Sequence, residues 1–78
     1  MTKEKILKDA HKQRVEEVLA YQINIDNYRL AISHIEESGD PDLSGFKTQL
    51  ETLLKTEVIE QKKSKVMLAV IEKQIGGV

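Results

Sequence analysis

The segment Gly39-Asp40-Pro41 constrains this 78-residue chain more than any other feature. Four Gly and one Pro are present. Gly39, Pro41 and Gly45 cluster near the middle, and Gly76-Gly77 stand near the end. A β-rich chain of this length needs several turns, each with its own turn residues. This one carries punctuation for a single turn. Its flanks are dominated by Ala, Leu, Ile, Val, Glu, Lys and Gln, which suit helices when Ile and Val lie on a packed face. The expected fold is all-α: an antiparallel hairpin of two long helices, one domain over residues 1–78.

The ends of the helices follow from local chemistry. Helix 1 is expected over about residues 2–38. Thr2 acts as N-cap, and Gly39 takes the left-handed conformation that ends a helix. After a turn at 39–40, helix 2 is expected over about 41–75. Asp40 caps it, Pro41 fits its first position, and Gly76-Gly77 close it. Asp42 places a negative charge on the positive end of that macrodipole. The alternative is a break near Gln22–Asn27 or near Gly45, giving three or four shorter helices.

Composition excludes whole classes of protein. With no Cys, no disulfide forms and no Cys-rich zinc site exists, and two His cannot close a zinc site alone. No apolar run approaches the length of a membrane span, and no signal-peptide core follows Met1. The expectation is a cytoplasmic protein with no membrane partner, no metal and no cofactor.

On helix 1, Leu7, His11, Arg14, Val18, Tyr21, Ile25, Tyr28, Ile32 and Ile35 alternate at spacings of 4 and 3, the seam of coiled-coil packing. The inward face of helix 2 is read as Leu43, Phe46, Leu50, Leu53, Leu54, Val58, Gln61, Lys65, Leu68 and Ile75. Two features exceed what a hairpin can cover. A second stripe, Leu19, Ile23 and Leu30, lies off the seam of helix 1, and helix 2 carries the unbroken run Val66-Met67-Leu68-Ala69-Val70-Ile71. A helix with one neighbour needs one stripe. Self-association into a helical bundle is therefore expected, as a homodimer or higher oligomer, with Leu19, Ile23, Leu30, Val66, Met67, Val70 and Ile71 at the oligomer or partner interface.

Counting outward from the turn, Tyr21 falls opposite Glu57 and Arg14 near Ser64, Glu60 and Gln61. This predicts a polar layer of Arg14, Tyr21, Gln22, Glu57 and Glu60, in which Tyr21 donates to Glu57 and Arg14 pairs with Glu60. Such a layer fixes register and oligomer state. The same residues offer contacts for a small ligand or anion. Catalysis is not expected, because two thin helices give little concavity to hold a substrate against an acid or base. Glu16-Glu17 and Glu36-Glu37 point in different directions. No Glu-x-x-His metal motif of bundle proteins is present. Asn24, Asn27 and Arg29 are candidate hydrogen-bonding groups for a partner or a neighbouring subunit. His34 is read as exposed.

Net charge is only -1, yet it is unevenly placed. Residues 1–15 hold five bases and two acids, and residues 61–78 hold four bases and one acid. Residues 16–60 hold ten acids and three bases. A hairpin brings the two basic segments together at its open end and leaves the closed end acidic. The open end, with Lys3, Lys8, Lys12, Lys62, Lys63 and Lys65, suits an anion such as nucleic acid or a nucleotide. It lacks the interleaved aromatics that stack on bases.

The function expected from these features is that of a small, non-enzymatic, oligomeric interaction protein, an adaptor or inhibitor acting by protein–protein binding. Nucleic-acid or nucleotide binding through the basic end is the alternative. The architecture resembles that of small plasmid- and phage-type hairpin proteins, an analogy of fold alone. An accessory protein of a phage or mobile element is one example of the class.

Overall fold

The computed structural model describes residues 2–76. Helix α1 spans Lys3–Ser38, and helix α2 spans Ser44–Gly76. They pack side by side as an antiparallel hairpin with no strand among the described residues. The chain is a rod of 57 × 16 × 15 Å.

The capping chemistry forms where the sequence places it. Thr2 Oγ1 accepts from the Lys5 N–H at 3.2 Å. Gly39 adopts φ 63°, and its N–H reaches the Ile35 carbonyl. That left-handed geometry disfavours a side chain. Ser38 Oγ donates to the same carbonyl at 2.7 Å, so the Ile35 carbonyl accepts twice. The second helix begins later than expected. Pro41–Leu43 forms a tighter 3-10 turn, with Asp40 as its cap at 2.9 Å from the Asp42 N–H. The Leu43 N–H donates to Asp40 O and the Ser44 N–H to Pro41 O, the three-residue spacing of that turn. Gly76 is the last residue of α2 rather than a stop after it; Gly77 lies outside the described residues.

The seam on α1 is the one the spacing predicts: Leu7, His11, Arg14, Val18, Tyr21, Ile25, Tyr28, Ile32 and Ile35 are all buried or half-buried. On α2 the buried positions differ from the apolar ones. Phe46, Leu53 and Lys65 are exposed, whereas Lys47, Ser64 and Ile71 turn inward. The inward set Leu43, Lys47, Leu50, Leu54, Glu57, Gln61, Ser64, Leu68, Ile71 and Ile75 repeats the 4-3 spacing without a break. Register therefore outranks hydrophobicity: Phe46 and Leu53 sit one position off the seam and stay out. Lys47 lays its stem along the interface while its ammonium pairs with Glu36 at 3.2 Å.

Candidate interaction surfaces

The hairpin buries few apolar side chains completely. Among the described residues, Ile25, Ile35 and Leu50 are the fully buried apolar ones, while ten large apolar side chains remain substantially exposed. Accessible surface is 5909 Å². A compact monomer of 8.9 kDa exposes about 4800 Å². The radius of gyration, 17.6 Å, exceeds the roughly 12 Å of a globular chain of this length. Both differences follow from a seam with only one partner.

The contacts across the seam define two flanks. On the first, Gln22 meets Gln61, Glu36 meets Lys47, and Glu72 meets His11. This flank is polar. On the second, Asn24 Nδ2 donates to Glu57 Oε2 at 3.2 Å. The helical phase of α2 puts Leu53, Met67 and Val70 on this second flank, with Ile59 and Val66 on the adjoining outer face. These five are 42–62% exposed. Leu19, Ile23 and Leu30 occupy the outer face of α1 and are 57–69% exposed. Their phase turns them toward the first flank. The two apolar surfaces thus lie at diagonally opposite corners of the rod.

Most of the expected interface residues are at these surfaces; Ile71 is not. Leu68 and Ile71 from the continuous apolar run face the seam, and Val66, Met67, Ala69 and Val70 face out. One neighbouring helix takes two of the six, and four are left over.

The polar layer is centred elsewhere than predicted. Its deepest members are Gln61, 6% exposed, and Ser64, 2% exposed. Gln61 Nε2 donates to Val18 O at 3.2 Å and to Gln22 Oε1 at 2.9 Å. Ser64 Oγ is buried with no hydrogen-bond partner. Arg14, Tyr21, Gln22, Glu57 and Glu60 are half-buried around them. Tyr21 does not donate to Glu57, whose bond is to Asn24. Arg14 pairs with Glu17 at 3.1 Å, and Glu60 with Lys63 at 3.0 Å. Side-chain direction accounts for these differences. Every side chain on a helix leans toward its own N-terminus, so residues level in an antiparallel pair lean apart. Asn24, about a turn along from Tyr21, lies where Glu57 leans. Gln22 also donates to Asp26 at 2.9 Å along α1.

The six lysines of the open end do not form one patch. Helical phase gathers Lys8, Lys12, Lys62 and Lys65 on the first flank and puts Lys3 and Lys63 on the second. Lys8 is bonded to Glu4 and Lys63 to Glu60. His34 is exposed, and His11 is half-buried with Nε2 3.4 Å from Glu72. No described helix is long and apolar enough to cross a membrane. Comparison with protein-family models, curated proteins and solved structures finds no match, so the reading of these surfaces rests on their own geometry.

Proposed function

We propose that this chain is a non-enzymatic interaction protein that works by presenting two apolar helix surfaces to other proteins, its own copies included. The observation that carries this reading is the imbalance between three buried apolar residues and ten large exposed ones. Scattered apolar residues are ordinary on a surface. Here eight of the ten gather on two faces, Leu19, Ile23 and Leu30 on α1 and Leu53, Ile59, Val66, Met67 and Val70 on α2, and clustered apolar surface is what a partner covers. About 1100 Å² of surface beyond that of a compact monomer is comparable with the roughly 800 Å² each partner buries in a stable complex.

The test is affinity capture from the native lysate by the wild type and by an Ile23→Asp, Val70→Asp variant. Both positions are exposed, so the hairpin is expected to stay folded by circular dichroism. Loss of specific partners from the variant supports the reading. Equal recovery by both proteins overturns it.

A second reading has one observation in its favour: Lys8, Lys12, Lys62 and Lys65 share the polar flank near the open end. Such a cluster would bind a nucleic-acid backbone through charge alone. RNA or DNA retention that falls steeply between low and moderate salt supports it. Retention that is absent at low salt removes it.

A further inference from the structure

We propose that a second copy of this chain docks antiparallel along α2, through Leu53, Ile59, Val66, Met67 and Val70. This rests on the reading above and names the occupant of one of its two apolar surfaces.

On the flank of α2, Leu53, Thr56, Glu60, Lys63, Met67 and Val70 follow at intervals of 3, 4, 3, 4 and 3. That series is the same in both directions, as suits a reversed copy related by a two-fold axis perpendicular to the helix. Laid against a reversed copy, Leu53 meets Val70, Thr56 meets Met67, and Glu60 meets Lys63, each twice. Ile59, on the adjoining face, falls beside Val66 of the second copy. Apolar groups meet apolar groups toward both ends of the series, and opposite charges meet at its centre. Glu60 and Lys63 already form an ion pair within one chain at 3.0 Å, so the axis would join two such pairs into a four-charge cluster.

Charge selects the direction. Residues 44–60 of α2 hold Glu51, Glu57 and Glu60 against Lys47 and Lys55, while residues 61–76 hold four Lys against Glu72. The turn and α1 make the closed end more acidic still. Reversal lays the basic end of each copy on the acidic end of the other. A parallel pair would instead stack Glu60 on Glu60 and Lys63 on Lys63. Size agrees as well. With Leu53 opposite Val70, residues 47–76 of the two copies overlap over about 45 Å, which at the 16 Å width of the rod is roughly 700 Å², near the about 800 Å² per partner of a stable dimer. The Leu19-Ile23-Leu30 stripe, at the opposite corner, stays free in this dimer.

The chain has no Cys, so introduced thiols report alone. Thr56 and Met67 are about three turns, or about 17 Å, apart on α2. A disulfide spans at most about 7 Å between Cα atoms, so the two cannot link within one chain. The experiment is mild oxidation of purified Thr56→Cys, Met67→Cys protein, beside each single variant and a Thr48→Cys, Lys62→Cys control on another face of α2. A covalent dimer is expected from the Thr56→Cys, Met67→Cys protein alone. Linkage of a single variant, or equal linkage of the control, overturns the antiparallel alignment. Wild-type mass by light scattering at micromolar concentration completes the test. A dimer mass without the cross-link moves association to another face and overturns the α2 proposal, while the capture experiment still judges the wider reading. A monomer mass overturns the second copy as occupant.

Discussion

Gln61 donates its side-chain amide to the Val18 carbonyl across the seam, 3.2 Å away, and to Gln22 Oε1 at 2.9 Å. It is the one side chain on α2 that bonds both backbone and side chain of α1. A buried amide with fixed partners sets register, because sliding the helices by one layer would leave it unpaired. Gln61→Ala is therefore expected to cost about 1–2 kcal/mol, from lost bonds and lost packing. Gln61→Leu is expected to hold stability within about 1 kcal/mol of wild type, since an apolar residue of similar volume suits the position. Chemical denaturation of both variants checks this. Equal midpoints for Gln61→Ala and wild type would show that the amide holds nothing in place.

Ser64 lies one layer from Gln61 and has the opposite problem. The residue is 2% exposed, and its buried hydroxyl is without a partner. Burying such a group costs about 1–3 kcal/mol, and Ala is also the better helix former. Ser64→Ala is expected to raise the melting temperature by several degrees, about 1 kcal/mol in a domain of this size. An unchanged or lower melting temperature would place a water or a relaxed bond on Ser64 Oγ.

Two glycines near the turn separate a required conformation from an incidental one. Gly39 has φ 63°, and Gly45 lies within α2 with open space where a Cβ would go. Gly39→Ala is expected to destabilise by about 1 kcal/mol. Gly45→Ala is expected to stabilise by about 0.5–1 kcal/mol, through helix propensity and a less flexible unfolded chain. Thermal melts of the two variants should move in opposite directions; a shared direction would contradict the turn geometry.

How far the sequence reveals this fold is clearest at Glu57 and at Phe46. The turn, the caps and the seam of α1 are legible because each rests on local rules: a left-handed glycine, a capping side chain, a 4-3 spacing. The seam of α2 is only partly legible. Choosing its apolar residues gives Phe46 and Leu53, whereas carrying the spacing back from Leu68 gives Lys47, Leu54 and Ser64. Polar residues at seam positions hide the register from any reading by hydrophobicity. Glu57 illustrates the second loss. Its level is readable from the turn, but its partner depends on the lean of the side chain, and that selects Asn24 over Tyr21. The exposed stripe on α1 is legible because it repeats along the helix off the seam. That Ile71 turns toward the seam is not legible, because an unbroken apolar run gives no phase of its own.

Ile25 and Ile23 are two residues apart on α1 and should behave as opposites. Ile25 is 2% exposed at the centre of the seam, and Ile23 is 61% exposed on the outer face. Ile25→Ala leaves a cavity costing about 2–4 kcal/mol. A single core of this size supplies roughly 3–5 kcal/mol in total, so that variant is expected to keep little of the stability and to melt far below the wild type by far-ultraviolet circular dichroism. Ile25→Asp adds a buried unpaired charge and should lose the helical signal altogether. Ile23→Ala and Ile23→Asp touch no intramolecular core and should keep the helical signal of the wild type. Ile23 also lies outside the proposed α2 contact between copies, so neither variant should change the melt or its dependence on protein concentration. A wild-type melt for Ile25→Asp would mean that the seam has another register. A concentration-independent collapse of Ile23→Asp would mean that the outer stripe is part of the hairpin's own core.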